Sequence, residues 1–334
     1  MKKNILITGG CGFIGSWFIS NFSTKYNIKV LDAMFFNDKS KLDSQAEYVQ
    51  KDIRNLESED LNDVEIVIHM AELSNDPLGE INSDLTKEIN VMGTQKLLNA
   101  CKESSVKKFV YMSSCSVYGD SGDLHASEES PVNPLTNYAK AKIINEKLLL
   151  ENEYDFQIKI LRNATAFGYS KNTRSDLVIN DLTLNAVELN KINVLSDGTP
   201  RRPFVHIGDI SRFIDYLINY DDSQKLLINV GSKNLNYTVK DIAEIIGDIT
   251  KVQSISFGVS DGDSRSYFVD FSKLEKLFPN FKFIYDIEIG VKELINDYEA
   301  IKKNKVNNKR IKKINSLIQN GDVDDKLFWR NSSF

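Results

Sequence analysis

The sequence predicts an α/β fold built on a doubly wound parallel sheet, with a smaller mixed α/β lobe in its C-terminal part. Three observations carry this. The first 160 residues alternate strand-like and helix-like segments, which implies crossover connections and parallel strands. The strand segments are near-continuous apolar runs, as a sheet covered on both faces requires. The first of them runs into Thr8-Gly-Gly-Cys-Gly-Phe-Ile-Gly15, a glycine turn that opens a helix.

The elements follow in order. Asn4–Thr8 is a short apolar strand and Gly15–Lys25 a helix. Asn27–Asp32 and Ile66–Met70 are strands, and Asp84–Glu103 is a long amphipathic helix. Lys108–Ser113 is a strand, Asn137–Glu153 a helix and Phe156–Leu161 a strand. Beyond Gly168 the rhythm loosens. Asp176–Leu189, Asp209–Tyr220 and Val239–Thr250 read as helices. Asn193–Leu195, Pro203–Ile207 and Leu227–Val230 read as strands, with a turn at Asp197-Gly198-Thr199-Pro200. The expected division is 1–168 for a Rossmann-type dinucleotide domain, with later elements returning to its sheet. An interleaved substrate lobe spans 169–300 and a basic tail 301–334. The lysines and arginines of that tail (Lys302 to Lys313, Arg310 among them) are expected to form a solvated helix face.

Bulk properties exclude several classes. A chain of 334 residues, 41% hydrophobic and 27% charged, buries a large core, and its net charge of -5 leaves no electrostatic footprint for nucleic acid. No apolar run approaches a membrane span, and the N-terminus is not a secretory signal. The three scattered cysteines suit a reducing cytoplasm, and the three histidines stand too far apart to read as a metal site.

Two constellations carry chemistry. In the glycine turn, Gly9 allows the tight turn, Gly12 lets backbone approach a pyrophosphate, and Gly15 lets helix and strand pack closely. Phe13 and Ile14 belong to the same turn, where the helix N-terminus faces the phosphates. Asp32 ends the second strand near the spacing at which an acid binds the adenosine ribose. A carboxylate there repels a 2′-phosphate, which favours NAD over NADP. The second constellation is Tyr138 and Lys142, one helical turn apart on one face, following a strand that ends at Ser113-Ser114. A nearby ammonium and a nicotinamide ring both favour a phenolate, which acts as a general base. Ser114 can hydrogen-bond the same substrate oxygen.

With these motifs the chain resembles the extended short-chain dehydrogenase/reductases of the NAD-dependent epimerase/dehydratase family, which act mostly on nucleotide sugars. The match spans about residues 4–300. It adds Asp52-Ile53, His69-Met-Ala71, Asn90-Val-Met-Gly-Thr94, Ser113-Ser-Cys-Ser-Val-Tyr-Gly119 and Arg202-Pro-Phe-Val-His-Ile-Gly-Asp209. The resemblance implies Tyr138 as base, Lys142 on the nicotinamide ribose and Ser114 at the substrate hydroxyl. Asp52 and Ile53 would sit near adenine, and Ala71 and Asn90 would line the cofactor groove. Arg202 would pair with the substrate diphosphate, with Asn180 and Arg265 as further contacts. A homodimer through Asp84–Glu103 and Asn137–Glu153 is typical of such families.

Departures restrict the reaction. Where 4,6-dehydratases of the family carry Asp-Glu after the catalytic hydroxyl, this chain has Cys115 and Ser116, which argues against dehydration. Where UDP-galactose 4-epimerases place an asparagine, it has Thr165. Asn163 stands two residues early and is not expected to take over that role. The expectation is a nucleotide-sugar epimerase of carbohydrate biosynthesis that works through a 4-keto sugar, like UDP-glucose 4-epimerases. The alternatives are a 4-dehydrogenase or 4-ketoreductase and, from another class, a non-catalytic NAD sensor. His69 and His206 read as structural, and His125 as a residue of a polar loop with no special role. Tyr118 and Phe167 read as packing that also walls the site.

Overall fold

Seven strands pair side by side, all parallel. They include β1 (Asn4–Thr8), β2 (Asn27–Asp32), β3 (Glu47–Gln50), β4 (Ile66–His69) and β5 (Lys108–Ser114). The order runs from Lys225–Val230 through Gln157–Asn163 to β5, β4, β1, β2 and β3. The computed structural model describes residues 2–36, 42–221, 225–259, 266–303 and 310–330. From β1 the chain builds outward to β3, then returns to the other side of β1 to lay down β4. That reversal opens a crevice beyond the carboxyl ends of β1 and β4, where ligands bind in such sheets.

Each face of the sheet is covered. Ile5, Ile7, Val30, Ile68 and Val110 point into one apolar cluster with Phe18, Phe213 and Leu217. The alternate residues Leu6, Leu31, Val67, Phe109 and Tyr111 point into a second with Leu97, Leu98 and Phe156. The strand period of two thus feeds both faces with apolar residues, which is why these segments read as unbroken runs. A buried lysine within this core finds its partners on the backbone. Lys108, 4% exposed, donates to the carbonyls of Leu217, Ile218 and Tyr220 at 2.7, 3.2 and 2.9 Å. It therefore holds the C-terminal end of helix Ile207–Ile218, where open carbonyls favour a cation.

The smaller lobe has its own core of Phe167, Ile179, Phe204, Ile242 and Val291. It carries a three-stranded sheet (Asn236–Thr238, Arg201–His206, Thr165–Phe167) and a pair formed by Lys191–Val194 and Ser254–Phe257. Strand Lys225–Val230 leaves this lobe to close the edge of the main sheet. Asp120–Ala126 pairs with Ser266–Val269, so His125 lies on a strand rather than in the expected loop, edge-on to Phe268 at 5.4 Å. The long helix expected over 84–103 is a continuous run from Ser83 to Lys102 that loosens into a π turn at Lys87–Met92.

The tail departs from its expectation. Lys302, Lys303 and Lys312 are exposed, but Arg310 is buried at the start of helix Arg310–Gln319. Ile314, Leu317, Val323 and Leu327 join the second apolar cluster. The basic run hid an apolar face that a 3.6-residue period would have revealed.

Candidate active site

The glycine turn takes the shape its residues demand. Gly9 has φ +70° and donates its N–H to the Leu31 carbonyl at 2.8 Å, tying the turn to β2. A Cβ on Gly15 would stand 2.4 Å from the Gly10 carbonyl oxygen, so the helix can approach the turn only through glycine there. At Gly12 a side chain would project between the Gly9 carbonyl, at 3.1 Å, and Arg310 Nη2, at 3.9 Å. The open backbone there, the N-terminus of helix Phe13–Phe22 and the guanidinium opposite form a donor set that fits a dinucleotide pyrophosphate.

At the end of β2, Asp32 accepts N–H bonds from Cys11 at 3.0 Å and Met34 at 2.7 Å. Burial pushes its carboxyl up, and those two N–H groups pull it back only in part. Each oxygen keeps a lone pair for a ribose hydroxyl. Asp52 follows β3 and is held by Arg54, whose Nε and Nη2 reach its two oxygens at 2.9 and 2.7 Å.

On the chemical side, helix Asn137–Glu151 presents Tyr138 and Lys142 from one face. Its N-terminus is fixed twice: Thr136 Oγ1 accepts from Ala139 N at 3.2 Å, and Glu80 Oε1 accepts from Asn137 N at 2.6 Å. Deeper along the helix, Glu146 takes both nitrogen arms of Arg162 (Nε at 3.0 Å, Nη2 at 2.7 Å) and the Ser113 hydroxyl at 2.5 Å. Arg162 lies on Gln157–Asn163 and Ser113 on β5, so one buried pair locks the helix to both strands. Lys142 Nζ pairs with Glu72 Oε2 at 2.5 Å and also donates to the Met112 carbonyl. It lies 5.3 Å from the centre of the Tyr138 ring and 4.8 Å from that of Tyr111, whose hydroxyl donates to Glu72 at 2.7 Å. Ser114 Oγ caps the turn after β5, accepting from Ser116 N at 3.2 Å.

One cavity of about 510 Å³ gathers these groups. Gly9, Gly12, Phe13, Ile14, Gly15, Asp32, Asp52, Ile53 and Ala71 line it, together with Ser114, Tyr138, Lys142 and Arg202. Two expected contacts are not among the lining residues. Asn90, fully buried, accepts from Leu73 N at 2.8 Å through Oδ1 and donates from Nδ2 to the Leu73 carbonyl at 3.3 Å, so it shapes the 71–75 loop from behind. Asn180, also fully buried, accepts from Gly168 N at 3.1 Å and donates to the carbonyls of Gly168 and Arg174. Arg265 lies outside the described residues. Asn163, to which no role was carried over from the sequence, is also in the wall. It lines the cavity beside Thr165, its Oδ1 buried with no hydrogen-bond partner among the described residues, because residues two apart along an extended chain share a face.

Sequence reasoning missed Glu72, Arg174, Asp176 and Arg310, all of which line the cavity. Glu72 was visible only as an unusual acid after Ala71. Arg174 makes a two-point pair with Asp176 at 2.9 and 2.9 Å and donates to the Ser74 carbonyl at 3.0 Å. Cys115 turns away from the cavity toward the Arg162 carbonyl at 3.2 Å, and burial pushes its thiol up, whereas Ser116 lines the wall.

His69 and His206 have polar side-chain partners. His69 bridges Thr8 Oγ1 (2.6 Å) and Thr94 Oγ1 (2.7 Å), and burial drives it down to about 3. His206 has the carboxylate the sequence did not supply: Glu293 Oε2 lies 2.8 Å from its Nε2, from a helix 87 positions away. The ring also stacks on Tyr285 at 4.1 Å and accepts from Gly208 N at 3.0 Å.

The chain is 29% identical to a UDP-glucuronate 4-epimerase of Thermodesulfobacterium geofontis, over 90% of this chain and 99% of that one. It is 28% identical to a mouse dTDP-D-glucose 4,6-dehydratase, over 75% and 73% of the two chains. Its fold matches the crystal structure of UDP-glucuronic acid 4-epimerase from Bacillus cereus in complex with UDP-glucuronic acid and NAD. The TM-score is 0.77 and the identity 26%, covering 90% of this chain and 99% of the other. The model of the NAD dependent epimerase/dehydratase family matches residues 5–231. With its glycine turn, parallel sheet and Tyr138/Lys142 helix, this chain belongs to that family.

Proposed function

We propose that the protein is an NAD-dependent nucleotide-sugar 4-epimerase. The observation that carries this is the convergence of Ser114, Tyr138 and Lys142 on the cavity that also holds the glycine turn and Arg202. When bound, NAD supplies the hydride acceptor and, later, the hydride donor. Asp32 and Asp52 hold the adenosine end, with Asp32 excluding a 2′-phosphate. Tyr138 takes the proton from the sugar C4 hydroxyl, and Ser114 hydrogen-bonds the same oxygen. Lys142 keeps a positive charge beside the phenol ring and holds the nicotinamide ribose. Arg202 grips the diphosphate while the 4-keto sugar turns over, and Tyr138 then returns its proton as the opposite face is reduced. Limiting water helps the keto sugar persist, and a recessed cavity filled by cofactor and sugar serves that end.

Relatives of several reactions share this fold, and local residues choose between them. Dehydration needs an acid and a base next to the C5–C6 bond. Cys115 and Ser116 provide neither, and the nearby carboxylate of Glu72 is committed to Lys142 and Tyr111. Asn163, with its open carbonyl oxygen in the wall, offers an acceptor for a sugar hydroxyl.

We further infer a cytoplasmic homodimer. Met92 and Ile144, 56% and 46% exposed, leave apolar surface on the two helices that would pair, and the three cysteines are unpaired. The test is a panel of UDP-glucose, UDP-glucuronic acid, UDP-N-acetylglucosamine and dTDP-glucose, followed by proton NMR and nicotinamide absorbance. Epimerase activity yields a C4 epimer with no net NADH. A 4-keto nucleotide sugar with stoichiometric NADH marks a dehydrogenase. No change in any sugar while NAD stays bound marks a sensor.

A further inference from the structure

Arg310 stands beyond the segment, about 4–300, that carries the family's motifs, yet it reaches the centre of the cofactor cleft. The residue is 8% exposed and lines the cavity. Its Nη1 donates to Ser74 Oγ at 2.6 Å, and its guanidinium lies 4.8 Å over the Phe36 ring. Its Nη2 faces the place where a Gly12 side chain would begin. Among the described residues no carboxylate comes within 4.0 Å of it. The neighbouring cation, Arg174, is matched by Asp176, and both oxygens of Asp32 already accept backbone N–H groups.

Asp176 and Asp32 favour its charge from a distance, but a buried guanidinium with spare donors and no directly bonded carboxylate is costly unless an anion completes it. Burial first, and the adjacent Arg174 second, push Arg310 down to about 9, as expected of a cation awaiting a partner. Planar, forked donors suit phosphate oxygens.

The residues that follow pack beside Asp32 and Asp52. Trp329 Nε1 donates to the Ala33 carbonyl at 2.6 Å, one residue past Asp32, and its ring lies 5.9 Å from Phe35. Arg54, which holds Asp52, donates to the Lys326 carbonyl at 2.8 Å and stacks 3.7 Å from the Phe328 ring. Leu327 takes φ +61°, an unfavourable conformation for a branched side chain, and the turn is held by Asp324, whose Oδ1 accepts from Phe328 N at 2.8 Å.

We propose that the C-terminal segment 310–330 is a built part of the cofactor site, in which Arg310 binds the dinucleotide pyrophosphate and Trp329 braces the wall at the adenosine end. The inference rests on NAD being the cofactor. A segment of this kind slows escape of a cofactor that is regenerated in every turnover and so has no need to leave.

The test uses the full-length chain and measures dissociation constants for NAD, ADP-ribose and adenosine in wild type, Arg310→Gln, Arg310→Lys and Trp329→Ala. Arg310→Gln is expected to weaken NAD and ADP-ribose by about ten- to a hundredfold, the range for a charge-assisted hydrogen bond, and to leave adenosine unchanged. Arg310→Lys, which keeps the charge but loses the fork, is expected to show a smaller loss on the same two ligands. It carries the test should the glutamine variant fail to fold. Trp329→Ala is expected to weaken all three. Wild-type affinity for ADP-ribose in both Arg310 variants overturns the proposal, as does an equal loss on adenosine. A wild-type chain that binds no NAD overturns the cofactor reading itself.

Discussion

Acidification should destabilise this protein through one residue, His69. The side chain is 1% exposed, sits where β1 and β4 end, and links Thr8 to Thr94 directly behind the cofactor crevice. Burial holds its pKa near 3, with the Lys142 ammonium adding to the effect, whereas in the unfolded chain it takes the ordinary value of about 6.5. The folded-state pKa is the lower one, so between those values the unfolded chain binds the extra proton and acid favours unfolding. The contribution is nearly absent above pH 7 and grows by about 1.4 kcal/mol per pH unit below 6.5, to about 5 kcal/mol near pH 3. From pH 7 to pH 5 the loss is about 2 kcal/mol. The assay is denaturant unfolding of wild type and His69→Gln at pH 7, 6 and 5. The variant carries a constant penalty for its poorer fit, but its stability should fall less steeply, so the gap between the two proteins should close by about 2 kcal/mol over that range. Parallel pH curves would refute the assignment of a neutral, buried imidazole.

Other outcomes follow from the same geometry. Glu146→Gln leaves Arg162 buried and uncompensated, and should cost about 3–5 kcal/mol in unfolding free energy, against less than about 1 kcal/mol for the exposed Lys292–Glu288 pair. Arg202→Gln should raise KM for the nucleotide sugar with a much smaller change in kcat, since the diphosphate is held in ground state and transition state alike. Lys142→Met should lower kcat by about a hundredfold or more, with circular dichroism unchanged.

Much of the frame was legible because its signals are local. Asn4–Thr8, Asn27–Asp32 and Val239–Thr250 have the ends expected of them: apolar runs or stripes closed by glycine, aspartate or a threonine cap. Edge strands were missed where no apolar run marks them. Asp120–Ala126 reads Asp-Ser-Gly-Asp-Leu-His-Ala and gains its identity only from its pairing with the distant Ser266–Val269. The site shows the same division. Tyr138, Lys142 and the glycines are placed by short-range geometry and line the expected cavity. Asn90 sits at a motif position and Asn180 at an expected contact position, but their side chains serve backbone groups, and sequence spacing does not tell a hydrogen bond to a ligand from one to a neighbouring loop. Arg310 was hidden in a run of lysines, and Glu72 acquires meaning only once Lys142 is seen beside it.

The central claim is that the phenol of Tyr138 and a bound nicotinamide act together on sugar C4. The most direct measurement follows a nucleotide sugar that is epimerised in the panel above, labelled with deuterium at C4, in ordinary water with wild type and Tyr138→Phe. The account predicts that the wild-type product is the C4 epimer with the label still on C4. It predicts that the variant binds NAD as wild type does but turns over about a thousandfold or more slowly. Loss of the label to solvent, or an active Tyr138→Phe protein, would contradict it.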